Sequence, residues 1–202
     1  MTPEDVLKIA LAEIGYIGKK SNNDLDMKKT NITGDYTKYA RDLAEYGYYN
    51  FDKNGFPWCC VFVDRCFLAA SGFDKDAAMK VKPVSIYGAA VDYIKTEFPE
   101  SRIYAPNDNI TAGMQVLFKD DSGELAHTGI VGSVNSETFI TIEGNISHSV
   151  VTREYVFNDP RIDSFVLPYY ETDDITISRE EYERLTAAEY DLATIRRIIC
   201  GE

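Results

Sequence analysis

An α+β fold, with N-terminal helices packed on an antiparallel sheet of about five to six strands, is predicted by three observations. Up to about residue 100, apolar residues recur at helical spacing between capping and stop signals. After Pro106 they fall into short strand-like runs separated by turn residues. Helices first and a contiguous strand meander second is the order of an α+β domain with an antiparallel sheet. The chain has 202 residues, 45% of them hydrophobic, enough for a proper core in one domain with a short appendage.

The first helix begins at Thr2, a suitable N-cap, with Pro3 at the first helical position and Asp5 two residues on. Val6, Ile9, Ala10, Glu13 and Ile14 keep helical spacing, and Gly15 is a fitting stop. The polar, Asn-rich stretch 19–34 reads as a loop. Tyr36, Tyr39, Ala40 and Leu43 share one face of a second helix over 36–46. The turn Asn54-Gly55-Phe56-Pro57 then leads into an apolar helix that carries Cys59 and stops at Ser71-Gly72. A weaker helix is predicted over 85–97, with Ile86, Ala89, Ala90, Tyr93 and Ile94 on its apolar face. Strands are predicted over 113–118, 127–134, 138–143, 150–155 and 164–168, with Asn135-Ser136-Glu137 as one of the turns.

Residues 171–202 form a linker and an amphipathic helix, separate from the domain at 1–170. Thr172-Asp173-Asp174 is a polar break, and Ser178 with Glu181 makes a capping box. Leu185, Ala188, Leu192, Ile195 and Ile199 form a narrow apolar stripe. The stripe is too short for a free-standing coiled coil. It suits packing against the domain, or a dimer or partner contact through Leu185, Leu192, Ile195 and Ile199.

The net charge of -12 argues against nucleic acid as a partner, and no apolar run approaches the length of a membrane span. Four cysteines, two adjacent, offer no disulfide framework and no zinc-type pair. The acidic start, Met1-Thr2-Pro3-Glu4-Asp5, lacks the basic residues of a signal peptide, so synthesis in the cytoplasm without Sec export is expected.

The chemistry concentrates at Trp58-Cys59-Cys60. A thiol where a turn becomes a helix feels the positive end of the helix dipole and unpaired backbone N–H groups, which favour thiolate. His127, one of only two histidines, lies downstream in a strand-like run. A cysteine on a helix start followed by a histidine on a strand is the order of a papain-like thiol hydrolase. An adjacent imidazolium can depress a thiol pKa from about 8.5 to about 3–4. Glu143 follows His127 after one hairpin turn and can sit beside it, while alternation along a strand puts Glu143 and Asn145 on one face. One helical step is about 100°, so only one of Cys59 and Cys60 can face His127, and spacing alone does not choose between them. Cys66, deep in the apolar helix, reads as structural. His148, in the polar stretch Ile146-Ser147-His148-Ser149, reads as a solvated histidine of a hairpin loop.

Trp58-Cys59 opening a helix with Phe62-Val63, the run Ala126-His127-Thr128-Gly129-Ile130-Val131, and Ile142-Glu143-Gly144-Asn145 together resemble the CHAP domain. This family of cysteine- and histidine-dependent amidohydrolases and peptidases belongs to the NlpC/P60-like, papain-like superfamily. The resemblance spans roughly residues 3–170 and extends to the cell-wall hydrolases of phage and prophage endolysins. It implies that Cys59 is the nucleophile, His127 the base, Glu143 the group that orients the imidazole, and Asn145 a residue lining the site. The implied activity is peptidoglycan amidohydrolysis through a thioester, at the N-acetylmuramoyl–L-alanine amide or at a peptide bond of the stem or cross-bridge. Two other readings stay open: a thiol amidase acting on a small amide outside the wall, and a non-catalytic module of a phage particle with the same fold.

Trp58, Asn54 and Phe56 are the candidate substrate-binding residues, in an aromatic-rich segment before the nucleophile. No cofactor is expected. Asn50 to Gly55 mimics the first half of a calcium loop, but position 12 would be Val61 where an EF-hand needs glutamate. A looser calcium site at Asp52 and Asn54 is what the resemblance allows. The expected partner is bacterial peptidoglycan, reached after release by a holin or a secretion machine.

Overall fold

In the computed structural model, which describes residues 1–31, 33–85, 88–106 and 108–171, Thr2 opens helix α1 (Pro3–Ala12). Its hydroxyl accepts from the Asp5 N–H, and the Asp5 carboxylate accepts from the Thr2 N–H. That reciprocal pair satisfies two of the helix's unpaired donors. Gly15 follows at φ 83°, in the left-handed region that suits glycine. Helix α2 (Lys38–Glu45) starts later than its apolar pattern suggests. Tyr36 is held in an extended exchange with Lys19, whose N–H donates to Tyr36 O at 2.7 Å, so Thr37 becomes the cap.

Helix α3 (Cys59–Ala70) is the centre of the molecule. It contacts α1, α2, the sheet and a further helix, α4 (Lys75–Val81). Its burial on nearly every side explains why its sequence is apolar all round. The spacing of apolar residues does not reveal α4. The signals present are Asp74, whose carboxylate caps Ala77 N–H at 3.0 Å, and the Asp76 to Lys80 charge order.

The helix expected over 85–97 is not formed. Gly88 sits at φ 90° and Ala90 is extended, which interrupts the α-helical path. Two short 3₁₀ turns, Val91–Tyr93 and Lys95–Glu97, take its place. They still bury Val91 and Ile94, while Tyr93 faces solvent and Ile86 lies outside the described residues.

The sheet has six strands: β1 (Ile103–Tyr104), β2 (Gln115–Lys119), β3 (Leu125–Val134), β4 (Thr138–Ile146), β5 (Ser149–Val156) and β6 (Ile162–Val166). Their order is β1-β6-β2-β3-β4-β5, and every pairing is antiparallel. Side chains alternate between faces. Leu117 and Val166 pack with Cys59 and Cys60, and Ile130 and Ile142 pack with Val61 to Phe67 of α3. Val116, Phe118, Val131, Phe139, Tyr155 and Phe165 build a second core on the opposite face. The two-residue β1 escaped the sequence reading because it is too short to show alternation.

The described residues form a compact unit, Met1–Glu171, in which no helix is long and apolar enough to cross a membrane. The amphipathic helix expected with Leu185, Leu192, Ile195 and Ile199 falls outside the described residues, as does Cys200.

Candidate active site

Two features of the fold bring the site together. The first is the start of α3. Trp58 occupies the N-cap without a side-chain cap bond, leaving the first-turn N–H groups free of one. The Cys60 N–H points to the Cys59 sulfur, where it supports negative charge. The second is a divergence between strands. β3 and β4 pair from Ile130↔Ile142 outward to Val134↔Phe139, and beyond Ile142 β4 keeps its pairing with β5 at Glu143↔Val151 while Gly144 lies against α3. A Cβ built on Gly144 would lie 2.5 Å from Phe62 Cβ, so only glycine allows β4 this close to the first turn of the helix.

His127 stands on the β3 segment that β2 pairs through Phe118. Its Nε2–H donates to Glu143 Oε2 at 2.8 Å. That bond leaves Nδ1 as the nitrogen available to Cys59, whose sulfur lies close enough to the imidazole for each to favour the other's charged form. Phe118 stacks on the ring at 5.8 Å between centroids and limits its rotation. Glu143 is fully buried and reaches His127 over Gly129, where an added Cβ would sit 2.6 Å from Glu143 Cγ.

The electrostatics follow from these contacts. The Cys59 thiol is held well below its ordinary range by the Cys60 hydrogen bond and then by His127, which together outweigh its burial. Burial opposes charge on His127, yet the hydrogen bonds to Cys59 and Glu143 raise its pKa to about 9. Burial likewise opposes charge on Glu143, and its bonds from His127 and Thr141 still hold the carboxyl below its usual range. The arrangement favours a thiolate beside an imidazolium beside a carboxylate.

Spacing left Cys59 and Cys60 equivalent, and the geometry separates them. Cys60 is 2% exposed, and its thiol is pushed up by the bond to Cys59 and by burial. Cys66 is buried in the core with its thiol also pushed up by burial. His148 falls in the β4–β5 hairpin, as its sequence suggests, but is half-buried, with Nδ1 3.1 Å from Asp35 Oδ1.

Two expectations need correcting. Trp58 does not line a groove. It is fully buried between Tyr16 and Tyr39, with ring centroids at 6.4 and 5.7 Å, and anchors the start of α3. Simple alternation does not relate Glu143 to Asn145, because the β4–β5 register shifts between Glu143 and Ile146 and Asn145 adopts φ 66°. Asn145 directly follows Gly144, whose backbone lies against Phe62 of α3. Asn54 Oδ1 accepts from Thr37 N–H at 3.0 Å, tying the turn to α2. Phe56 is 54% exposed and faces Phe51 edge-on at 6.5 Å.

The calcium ligands considered for this turn are poorly suited to the ion. Asp52 Oδ1 accepts from Asn54 N–H at 2.9 Å and the Asn54 oxygen is engaged with Thr37, so both serve the turn itself. Among the described residues, no group of three or more His, Cys, Asp or Glu side chains is placed to hold a metal ion.

Sequence reasoning missed Thr141 and Tyr155, which complete the surroundings of Glu143. Thr141 Oγ1 donates to Glu143 Oε1 at 2.5 Å, and the Tyr155 hydroxyl lies near enough to the same carboxylate to favour its charged form. The available signal was Thr141, two residues before Glu143 and therefore on the same face of β4.

No curated protein matches the chain. Among solved structures it is similar to the crystal structure of Ly7917, with a TM-score of 0.48 and 14% identity over 83% of this chain and 62% of that one. It is also similar to the crystal structure of Ly7917 with the hydrolyzing product of MDP, with a TM-score of 0.47 and 12% identity over 83% and 63%. The chain thus aligns with less than two thirds of Ly7917. The model of the CHAP domain matches residues 51–145, from the aromatic turn before Cys59 to Asn145. Cys59, His127, Glu143 and Asn145 all fall within the matched residues.

Proposed function

We propose that this chain is a cysteine-dependent peptidoglycan amidohydrolase. The observation that carries this reading is Cys59 at the uncapped start of α3, against a histidine whose far nitrogen is held by a buried carboxylate. The thiolate attacks the carbonyl carbon of an amide in the wall peptide. The oxyanion that forms meets the Cys59 backbone N–H at the helix start. His127 gives its Nδ1 proton to the amine nitrogen as the C–N bond breaks, leaving a thioester. Water then gives a proton to His127 and attacks the thioester carbonyl, releasing the carboxylic acid product and freeing Cys59. Glu143 keeps the imidazole in the orientation both steps need.

The scissile bond is the N-acetylmuramoyl–L-alanine amide or a peptide bond of the stem or cross-bridge. Digestion of purified peptidoglycan by the protein and by Cys59→Ala, with mass spectrometry of the soluble products, tests the reading. Fragments that require Cys59 are expected, and their new termini identify the bond. Release that persists with Cys59→Ala but stops with Cys60→Ala would overturn the choice of nucleophile. No release from walls of several types would direct attention to small amides or to a non-catalytic module.

A further inference from the structure

Glu143 has two carboxylate oxygens, and only one can serve His127. Oε2 is that one, at 2.8 Å, while Oε1 receives the Thr141 hydroxyl at 2.5 Å. Thr141 is fully buried and cross-strand from Arg153, whose carbonyl oxygen is a weaker alternative acceptor for the same hydroxyl at 3.3 Å. A hydroxyl has one hydrogen, and the short distance to a charged oxygen decides where it goes.

We propose that Thr141 is a positioning residue of the Cys59–His127–Glu143 constellation. Its hydroxyl fixes Glu143 so that Oε2 meets His127 Nε2 and Nδ1 is left for Cys59. The assignment rests on the thiol-hydrolase reading of the site. Without the hydroxyl, Glu143 keeps Tyr155 and an approach by Arg153 Nη1 at 4.0 Å. The Arg153 guanidinium is 43% exposed and can draw the carboxylate away from His127. The charged and titratable groups facing the cluster are Cys59 and Cys60 from α3, His127 from β3, and Arg153 and Tyr155 from β5, with Arg161 farther off. Of the contacts Glu143 makes, only the one from Thr141 occupies Oε1 at a fixed short distance through a side chain that cannot titrate in the working range.

The test is the rate of Cys59 alkylation by iodoacetamide between pH 4 and 9, located by mass spectrometry, for the full chain and for Thr141→Val and Thr141→Ser. The wild-type chain is expected to react well below the ordinary thiol range. Thr141→Val is expected to slow labelling at pH 6 by about tenfold and to move the profile to higher pH, the size of one lost bond to a charged group. Thr141→Ser keeps the hydroxyl and is expected to restore the rate to within about twofold. Should Thr141→Val not fold, judged by circular dichroism, Thr141→Ala against Thr141→Ser makes the same comparison. A low-pH wild-type profile that Thr141→Val leaves unmoved, or a serine variant no better than the apolar one, would overturn this assignment alone. An ordinary thiol profile in the wild type would overturn it together with the proposed function. Failure to digest any wall would bear on the substrate and leave the labelling result standing.

Discussion

Two of the buried charged pairs that lie against α3 differ in what they leave open. Lys82 and Asp64 form an ion pair with side chains 2% and 4% exposed, and the Tyr49 hydroxyl donates to the second Asp64 oxygen. Glu143 is as deeply buried, but its partner His127 keeps 23% of its side chain exposed and turns its other nitrogen to a thiol. Cys60, near Asp64 on α3, belongs with the closed pair, and its thiol is pushed up. Cys59, one residue earlier, belongs with the open one and is pushed down. Burial of a charged pair therefore does not mark a site by itself. A closed pair fixes packing, whereas a pair with one free, accessible edge can move a proton.

The largest effects should separate the two pairs. Cys59→Ala or His127→Ala is expected to lower wall digestion by about 10⁴-fold or more, and Cys59→Ala to do so with little change in unfolding. Lys82→Met should do the reverse. It strands a buried carboxylate and is expected to cost about 3–5 kcal/mol in denaturant unfolding, while kcat of the folded fraction holds. A Lys82→Met protein with full stability would break the comparison. Next in size is Glu143→Gln, which keeps the shape but not the charge. It is expected to lower kcat by about 10³-fold, less than removal of His127, because the imidazole remains but loses its charge partner.

The pH dependence of activity sharpens the same contrast. The contacts of His127 raise its pKa to about 9, and in the proposed reaction its charged form gives the proton to the leaving amine. Activity should hold up to about pH 9 and then fall about tenfold per pH unit. On the acid side, Cys59 lies below its ordinary range, so the loss comes only when the thiolate is protonated there. An alkaline limb near pH 6.5, the ordinary histidine value, would show that Glu143 and Cys59 do not raise His127.

Much of the site was legible in the sequence because its parts are local. A cysteine after a turn, a histidine on a strand and a Glu-Gly-Asn element each carry their own signal, and the antiparallel sheet follows from the meander. The misreadings arise where tertiary contacts override local pattern. Trp58 looked available beside a nucleophile, yet it is the residue that Tyr16 and Tyr39 clamp to seat α3. Asn145 obeyed alternation on paper, but Gly144 lets β4 approach Phe62 and the strand bulges there. The region 85–97 has a helical period, and Gly88 at φ 90° interrupts it. The choice between Cys59 and Cys60 needed the position of His127, which no local pattern contains.

The smallest expected effect concerns the aromatic turn before α3, where Trp58 and Phe56 make a second contrast of buried and open. Phe56 is 54% exposed in the turn directly before α3, so under the proposed function its ring can cover a bound peptide or glycan without contributing to the core. Phe56→Ala is expected to raise KM by about fivefold, with kcat and unfolding unchanged, because about 1 kcal/mol of contact is made equally with substrate and transition state. Trp58→Phe should cost about 1–2 kcal/mol of stability and leave KM alone, since the ring is fully buried against Tyr16 and Tyr39. Steady-state kinetics on soluble wall fragments, with thermal unfolding of both variants, separates the two. If Phe56→Ala lowered stability instead of affinity, the exposed ring would be packing the Phe51 turn, and the substrate contact would have to be sought elsewhere around Cys59.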